Sequence, residues 1–183
     1  SFYNDNDFIA FEVIRLKGGK RVSEGQLVKS EYFDSFDLGE DYISQVRRAR
    51  PLPLTSAFSG NIEIINSSVA GGAPLMSLVV PYARDASNRI THVAISDIRL
   101  DGIQKTFSKV TARSFFMVTK DGSVLAHPDE KLVFEAKKLA GLKIVQQALT
   151  SKIAKGETRY QNPEDKEYYI ASYAQTQFGP AVI

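Results

Sequence analysis

The chain of 183 residues has no cysteine and no tryptophan. Without cysteine, disulfides, thiolate metal sites and cysteine nucleophiles are excluded, although the absence indicates no particular compartment. No apolar run approaches the ~20 residues that a membrane-spanning helix needs, and no basic segment followed by an apolar one opens the chain. The chain is therefore either cytosolic or a soluble piece of a longer membrane protein. The apolar run at its end, Phe178–Ile183, favours the second interpretation.

Neither sign of charge is in large excess. Lysine and arginine total 23 against 21 aspartate and glutamate residues, which leaves a net charge of +2. Bulk electrostatics of this size predict no nucleic-acid partner and no attraction to an anionic membrane. Hydrophobic residues make up 43% of the chain, as in ordinary globular proteins, and the length suffices for one large or two small domains.

Histidine is scarce. His92 and His127 are the only two, and they lie in different halves of the chain. This spacing disfavours a two-histidine metal site and a histidine-based catalytic triad. Glycine motifs that bind nucleotides are absent as well. We therefore predict no catalytic residue, no metal and no cofactor in this chain.

Closely spaced strands dominate the first half. The apolar patterning predicts two strands joined by a turn at Gly18-Gly19, then a helical segment, then three further strands. Because the connections between strands are short, the strands must pair antiparallel. A helix from Asp101 to about Lys109 leads into the second half. The predicted strands are Phe8–Leu16, Lys20–Val22, Asn61–Ser67, Leu75–Ala83 and Ile90–Leu100.

The helical segment of the first half ends in a cluster of arginines. Its apolar face repeats every four residues, and the prolines at positions 51 and 53 end it. The last turn carries Arg47, Arg48 and Arg50. They offset the helix dipole and stay solvated, or one of them points into a pocket and holds a carboxylate ligand in a bidentate fork. The residues of the apolar face are Leu38, Tyr42 and Val46.

The second half repeats this order, beginning with a hairpin in Ser114–Pro128. Asp121-Gly122 lies between two apolar runs and predicts a two-residue turn of type I′. Helical segments follow, and three strands complete the half. The sequence therefore predicts an α+β protein of two units, residues 1–110 with a connecting helix and residues 111–183. Each unit is expected to contain a five-stranded antiparallel sheet flanked by helices.

The second half resembles the membrane-proximal unit of a double Cache domain, an extracytoplasmic relative of PAS sensor domains. The resemblance is carried by Phe116–Pro128 (FMVTKDGSVLAHP), Gly156 before a strand, Tyr168–Tyr173 (YYIASY) and the pair Phe178-Gly179. Together these segments form a fairly specific series.

The first half is similar to the distal Cache unit, through Pro81-Tyr82 and the exit strand around Ser96–Ile98. The long N-terminal helix that normally precedes this unit is missing, and so is the Arg-x-Trp-Tyr element of amino-acid-binding members. The resemblance therefore implies the fold without implying a particular ligand.

What the resemblance implies is a sensor domain on the periplasmic or extracellular side of a bacterial inner membrane. Such domains precede nucleotide cyclases, histidine kinases, diguanylate cyclases or chemoreceptors, and relay ligand binding to a C-terminal membrane helix. The domain itself is expected to have no enzymatic activity. The alternative is an ectodomain with degenerate pockets that dimerises or responds to a protein partner, and a homodimer is compatible with both.

The resemblance also implies candidate ligand-binding residues in the distal unit. Asp97 matches an aspartate that holds a ligand's amino group, although a solvated strand-end carboxylate is an equal alternative. Tyr82 would line the same pocket, or else be a core tyrosine with a satisfied hydroxyl. Arg50 is expected to hold an anionic group of the ligand, so a small carboxylate or amine is the expected partner. His127 is expected to stabilise its own hairpin.

Overall fold

The computed structural model describes residues 6–39, 41–108, 115–161 and 166–183. The chain divides into two compact units, Ser1–Asp101 and Gly102–Ile183. The described residues of each unit form one five-stranded antiparallel sheet with helices, so the predicted α+β class and duplicated architecture are confirmed. The predicted boundary between residues 110 and 111 lies outside the described residues. Within the described ranges, no helix has both the length and the apolar character to cross a membrane.

The sheet of unit 1 has the strand order β2-β1-β5-β4-β3. The strand β2 is longer than predicted. Its full length was missed because an exposed edge strand shows little apolar alternation in its sequence. The helices α1 and α3 were not predicted, since five residues are too few to show a helical period. The elements are β1 Phe8–Lys17, β2 Lys20–Val28, α1 Ser30–Asp34, α2 Tyr42–Ala49, α3 Leu54–Phe58, β3 Glu63–Asn66, β4 Leu75–Arg84 and β5 Ile90–Arg99.

Two apolar clusters lie between this sheet and its helices. One cluster packs Phe33 and the α2 residues Ile43 and Val46 against the start of β1 and Leu75. The other packs the α3 residue Ala57 and its neighbours against the later part of β1 and the middle of β4 and β5. The helices therefore cover one face of the sheet in two separate patches.

The sheet of unit 2 has the strand order β7-β6-β10-β9-β8. Ile144, Val145 and Ala148 form the buried stripe of α6, which packs on β8 and β9. The segment Pro128–Ala140, predicted to be helical or turn-like, contains the short helix α5 followed by turns, and position 109 of the predicted connecting helix is not described. The elements are α4 Asp101–Ser108, β6 Met117–Val118, β7 Val124–Ala126, α5 Glu130–Phe134, α6 Lys143–Thr150, β8 Lys155–Gln161, β9 Tyr168–Gln175 and β10 Ala181–Val182.

The side chain of Gln104 ties α4 to the hairpin of unit 2. Its amide nitrogen donates to the carbonyl of His127, and its amide oxygen accepts from the His127 backbone N–H at 3.1 Å. The ring nitrogen Nδ1 of His127 accepts from the backbone N–H of Asp129 at 2.9 Å. Burial lowers the pKa of His127, against a smaller opposite effect of Asp129. The histidine thus stabilises the segment that follows its own hairpin.

The predicted hairpin at Asp121-Gly122 is present, but the predicted type I′ turn is wrong. Such a turn needs positive φ at both central residues, and of this pair only Gly122 has one, at 81°. The Gly122 N–H donates to the Thr119 carbonyl at 2.9 Å, and the loop therefore has three residues, from Lys120 to Gly122. By contrast, Gly18-Gly19 has φ of 57° and 78° and forms the two-residue turn between β1 and β2.

The Asp121 carboxylate explains why this residue does not adopt the left-handed conformation. It accepts hydrogen bonds from the Thr119 hydroxyl at 2.5 Å and the Ser123 N–H at 3.2 Å, and Lys138 lies 2.9 Å away. These bonds hold the residue in a local side-chain turn. Burial raises the pKa of Asp121, but the hydrogen bonds outweigh it and lower the pKa to about 2.

We expect Asp121→Asn to lower the free energy of unfolding by about 1 kcal/mol at neutral pH, the modest size reflecting solvent screening at this half-exposed site. Because the folded-state pKa is below the unfolded value of about 3.9, the stabilisation is complete above that value and disappears as pH falls towards 2. Denaturant unfolding at pH 7, 4 and 2.5 measures the difference. The exposed Glu157→Gln serves as control, and a loss that is independent of pH would contradict the assignment.

Candidate ligand-binding site

The candidate site is centred on Asp97, which lies in the middle of the sheet of unit 1. Antiparallel pairing places Asp97 opposite Ala10 on β1 and opposite Ser77 on β4, with all three on the face that the helices cover. The Asp97 side chain is 1% exposed. A carboxylate at this depth requires charged or hydrogen-bonding partners.

Arg47 supplies the opposite charge from α2. Its Nη2 donates to Asp97 Oδ2 at 2.5 Å, and its Nη1 donates to the Ser77 hydroxyl at 3.2 Å. The Ser77 hydroxyl lies 2.5 Å from Asp97 Oδ1, so each carboxylate oxygen has a donor. The arginine Nε is buried and, among the residues that the structure describes, has no hydrogen-bond partner. One donor of this ion pair is therefore unsatisfied.

Serines extend the polar cluster beyond the ion pair. The hydroxyls of Ser67 and Ser77 lie 2.5 Å apart, and both residues are fully buried. The next residue, Ser68, uses its hydroxyl to accept from the Leu75 N–H at 3.0 Å. The segment between β3 and β4 thereby lies directly against the ion pair, in which Asp97 is buried and Arg47 stays partly exposed.

The polar cluster separates the two apolar clusters of unit 1. Along the inner face of β4, Leu75 belongs to the first cluster and Val79 to the second, and Ser77 lies between them. Apolar residues at the positions of Arg47, Ser77 and Asp97, hereafter the polar row, would have joined both clusters into one core. A buried ion pair is often no more stabilising than well-packed apolar residues, because desolvation offsets the attraction. Stability alone therefore does not account for this row.

Side chains from the two ends of α2, Tyr42 at its start and Arg50 directly after its last residue, hold the segment between β3 and β4. The Tyr42 hydroxyl accepts from the Ala73 N–H at 2.9 Å, and a Cβ atom at Gly72 would overlap this hydroxyl. Arg50 donates from Nε to the Ser68 carbonyl at 3.2 Å. Burial raises the pKa of Tyr42, with a smaller opposite effect from its bond to Ala73, so the phenol is neutral at physiological pH.

The structure brings two of the three predicted site residues into one region. Asp97 is at the centre. Arg50 donates to the Ser68 carbonyl, on the segment between β3 and β4 that lies against the ion pair. Tyr82 lies elsewhere: it is 69% exposed, and its ring contacts His92 on the opposite face of the sheet. Tyr82 lies five positions after Ser77 along β4, which places the two residues about 16 Å apart.

Arg47 was not selected from the sequence, although a pattern identifies it. It follows the buried Ile43 by four residues and the buried Val46 by one, so it lies on the inner face of α2. Only the adjoining charged run, with three arginines in four positions, obscured which of them turns inwards.

Unit 1 also has an open cavity of about 620 Å³, and neither Arg47 nor Asp97 lines it. Arg99, two residues after Asp97, lies over the Tyr32 ring at 5.0 Å and forms a bidentate ion pair with Asp101. The hydrogen bond to Asp101 raises the pKa of Arg99, and burial raises that of Tyr32. In the described ranges, no three histidine, aspartate or glutamate side chains are grouped as metal ligands would be. The cavity is lined by Asn6, Ile9, Lys29, Glu31, Tyr32, Ser35, Phe36, Arg99 and Asp101.

We expect Arg47→Met to lower the free energy of unfolding by about 3 kcal/mol, because Asp97 would then be a buried and uncompensated charge. Combining it with Asp97→Leu removes both charges, and the double variant should return to within about 1 kcal/mol of the unsubstituted chain. Denaturant unfolding of all three proteins measures the coupling. Arg48→Met, at an exposed position on the same helix, is the control. Equal losses in the single and double variants would contradict the ion-pair interpretation.

Solved structures that share this fold include sensory domains. The extracellular domain of the putative histidine kinase mmHK1S-Z2 matches 99% of this chain and 76% of its own, with a TM-score of 0.62 and 14% identity. The periplasmic sensory domain of the Campylobacter jejuni chemoreceptor Tlp1 matches 99% and 72%, with a TM-score of 0.59 and 13% identity.

The ligand-binding domain of the Pseudomonas aeruginosa PAO1 amino-acid chemoreceptor PctC, in complex with GABA, matches 96% of this chain and 74% of its own, with a TM-score of 0.51 and 17% identity. No protein-family model matches the sequence, and no curated protein matches it significantly. At these identities the likeness is one of fold. The chain has the tandem PAS-like fold of these sensory domains, as the sequence predicted.

Proposed function

We propose that the chain is an extracytoplasmic sensor domain that binds a small molecule in unit 1, at the Arg47–Asp97 pair. The observation that carries the proposal is the row of charged and hydroxyl groups between the two apolar clusters, at the centre of an otherwise apolar interior. Such a row costs desolvation and leaves one arginine donor unsatisfied. Recognition of a polar ligand gives these groups a use that packing does not.

The groups of the site select the chemistry of the ligand. Arg47 offers a donor fork for a carboxylate, and Asp97 offers acceptors for an amine. A small carboxylate, a small amine, or a molecule with both groups could replace the bonds that these side chains now make to each other. The chemoreceptor domain of similar fold that holds GABA, a molecule with both groups, supports this range.

A ligand at this site would act on the exit of β5. Asp97 lies two residues before Arg99, whose guanidinium pairs with Asp101, the first residue of α4. In the proposal, residues 1–110 sense the ligand, and residues 111–183 relay the change to a membrane helix of a longer receptor. The ligand shifts the equilibrium only by its difference in affinity for the two states. The domain contributes no chemistry, and a cyclase, kinase or chemoreceptor module provides the output.

A second candidate function is an ectodomain that dimerises or responds to a protein partner. The observation that favours it is the closure of the site, in which Asp97 is 1% exposed and both of its oxygens are already bonded. In this case the ion pair would be a permanent part of the core. The same chain would then assemble as concentration rises and would ignore small molecules.

We expect at least one member of a panel of acetate, propionate, GABA and small primary amines to raise the melting temperature of the chain in a saturable manner. The shift should disappear in Asp97→Asn, which keeps the shape of the side chain, and persist in the control Asp85→Asn, which changes an aspartate in the loop between β4 and β5 outside the site. Isothermal titration calorimetry confirms the stoichiometry. Absence of any hit, together with dimerisation in analytical ultracentrifugation, would favour the second candidate instead.

A further inference from the structure

The exposed cations of unit 1 gather at one end of its sheet. The strand β1 pairs antiparallel with β5, and Arg15 near the end of β1 lies opposite His92 near the start of β5. The turn between β1 and β2 and the turn between β4 and β5 therefore lie at the same end. Both turns carry exposed basic side chains. They are Arg15, Lys17, Lys20, Arg21, Arg84 and Arg89.

Most of these cations have no carboxylate partner among the described residues. Arg15 pairs with Glu24, and Arg89 pairs with Asp85. Arg21 bonds only to the neutral Thr55 hydroxyl, Arg84 bonds only to a backbone carbonyl, and Lys17 and Lys20 have no ion pair within the described ranges. This end of the sheet, hereafter the basic end, therefore keeps an excess of positive charge.

Carboxylates gather at the opposite end of the same unit. The strand β2 ends beside the start of β1, with Val28 opposite Ala10, so α1 and the residues after it lie at that end. The acidic side chains there are Asp7, Glu31, Asp34, Asp37, Asp41 and Asp101. Strands of ten residues hold the two ends about 30 Å apart, well beyond the screening length of about 8 Å at physiological salt. Cations lie at that end too, among them Lys29, Arg50 and the Arg99 that pairs with Asp101, so its charges largely offset one another, whereas those at the basic end do not.

The shape of the basic end limits the partner. Its turns contain small and polar residues such as Gly18, Gly19 and Ser87, and the exposed apolar side chains of Leu16 and Val22 lie among the cations on the strands that flank the first turn. Two separate aliphatic side chains among several charges make a poor apolar wedge for a lipid surface. Its one large exposed aromatic side chain, within the described residues, is Tyr82. A single-stranded nucleic acid would need several such rings to stack its bases. One ring beside spaced cations suits a sugar chain that carries regularly placed anionic groups.

We infer that the basic end of unit 1 binds an anionic polysaccharide. The cations of the two turns contact its sulfate, phosphate or carboxylate groups, and the Tyr82 ring packs on a sugar face. The surface lies at the end of the sheet opposite Asp101, where the chain leaves the unit. The inference is independent of the proposed ligand site, since it uses none of its residues.

The experiment measures binding of the protein to immobilised dextran sulfate and to uncharged dextran across a range of salt concentrations. We expect binding to dextran sulfate only, with an affinity that falls linearly on a logarithmic salt scale because counterions are released. Lys17→Gln with Lys20→Gln should weaken binding about tenfold at low salt and reduce the logarithmic slope by about two. Tyr82→Ala should weaken binding without changing the slope.

A matched control removes the same charge elsewhere, through Lys137→Gln with Lys143→Gln, two exposed positions in unit 2. An equal loss in this control would overturn the inference, because net charge alone would then explain the binding. Tighter binding to a single-stranded oligonucleotide or to vesicles of anionic phospholipid would overturn the assignment to a polysaccharide. Circular dichroism of each variant verifies that the fold is retained, and absence of binding at low salt would also overturn the inference.

Discussion

The ion pair between Arg47 and Asp97 is the interaction on which the arrangement of unit 1 depends. It connects the helix α2 to the strand β5, which has neighbours on both sides in the sheet. A carboxylate that is 1% exposed is tolerated only if its partner stays in place, so the position of the helix and the position of the strand are coupled. Ser77 extends this coupling to β4, because its hydroxyl bonds to both members of the pair.

The same arrangement is suited to a change of state. Apolar packing tolerates few alternatives. The hydrogen bonds of a polar row, by contrast, can be made either among its own side chains or to the polar groups of a ligand. The segment between β3 and β4 lies against the row and is held by individual side-chain bonds, among them those of Tyr42 and Arg50. Two ways of satisfying one set of polar groups are what a sensor requires, provided that the ligand distinguishes between them.

Sequence reasoning located the site in part. Asp97 was predicted because it lies near the end of an apolar strand, at a position matched by a known family. The helix α4 after this strand was predicted as well. Arg47 was not chosen because three cations lie within four positions at the end of a short helix, two of them in its last turn and Arg50 directly after it. Tyr82 shares a strand with Ser77, but it points away from the ion pair, on the face that His92 occupies. Period-two alternation already indicates this, because Tyr82 lies five positions after Ser77, an odd number, and successive side chains of a strand point to opposite faces.

The sequence by itself determined the order of strands and helices, the duplication and the exclusion of cysteine chemistry, because these depend on local patterning and composition. Only the tertiary structure decided which charges meet. Antiparallel pairing of β1 with β5 brings two distant turns to one end of the sheet and gathers their cations there. The same pairing places Asp97 beside a helix fifty positions earlier in the chain. Contacts of this kind depend on register and on packing between elements, and no local pattern in the chain encodes them.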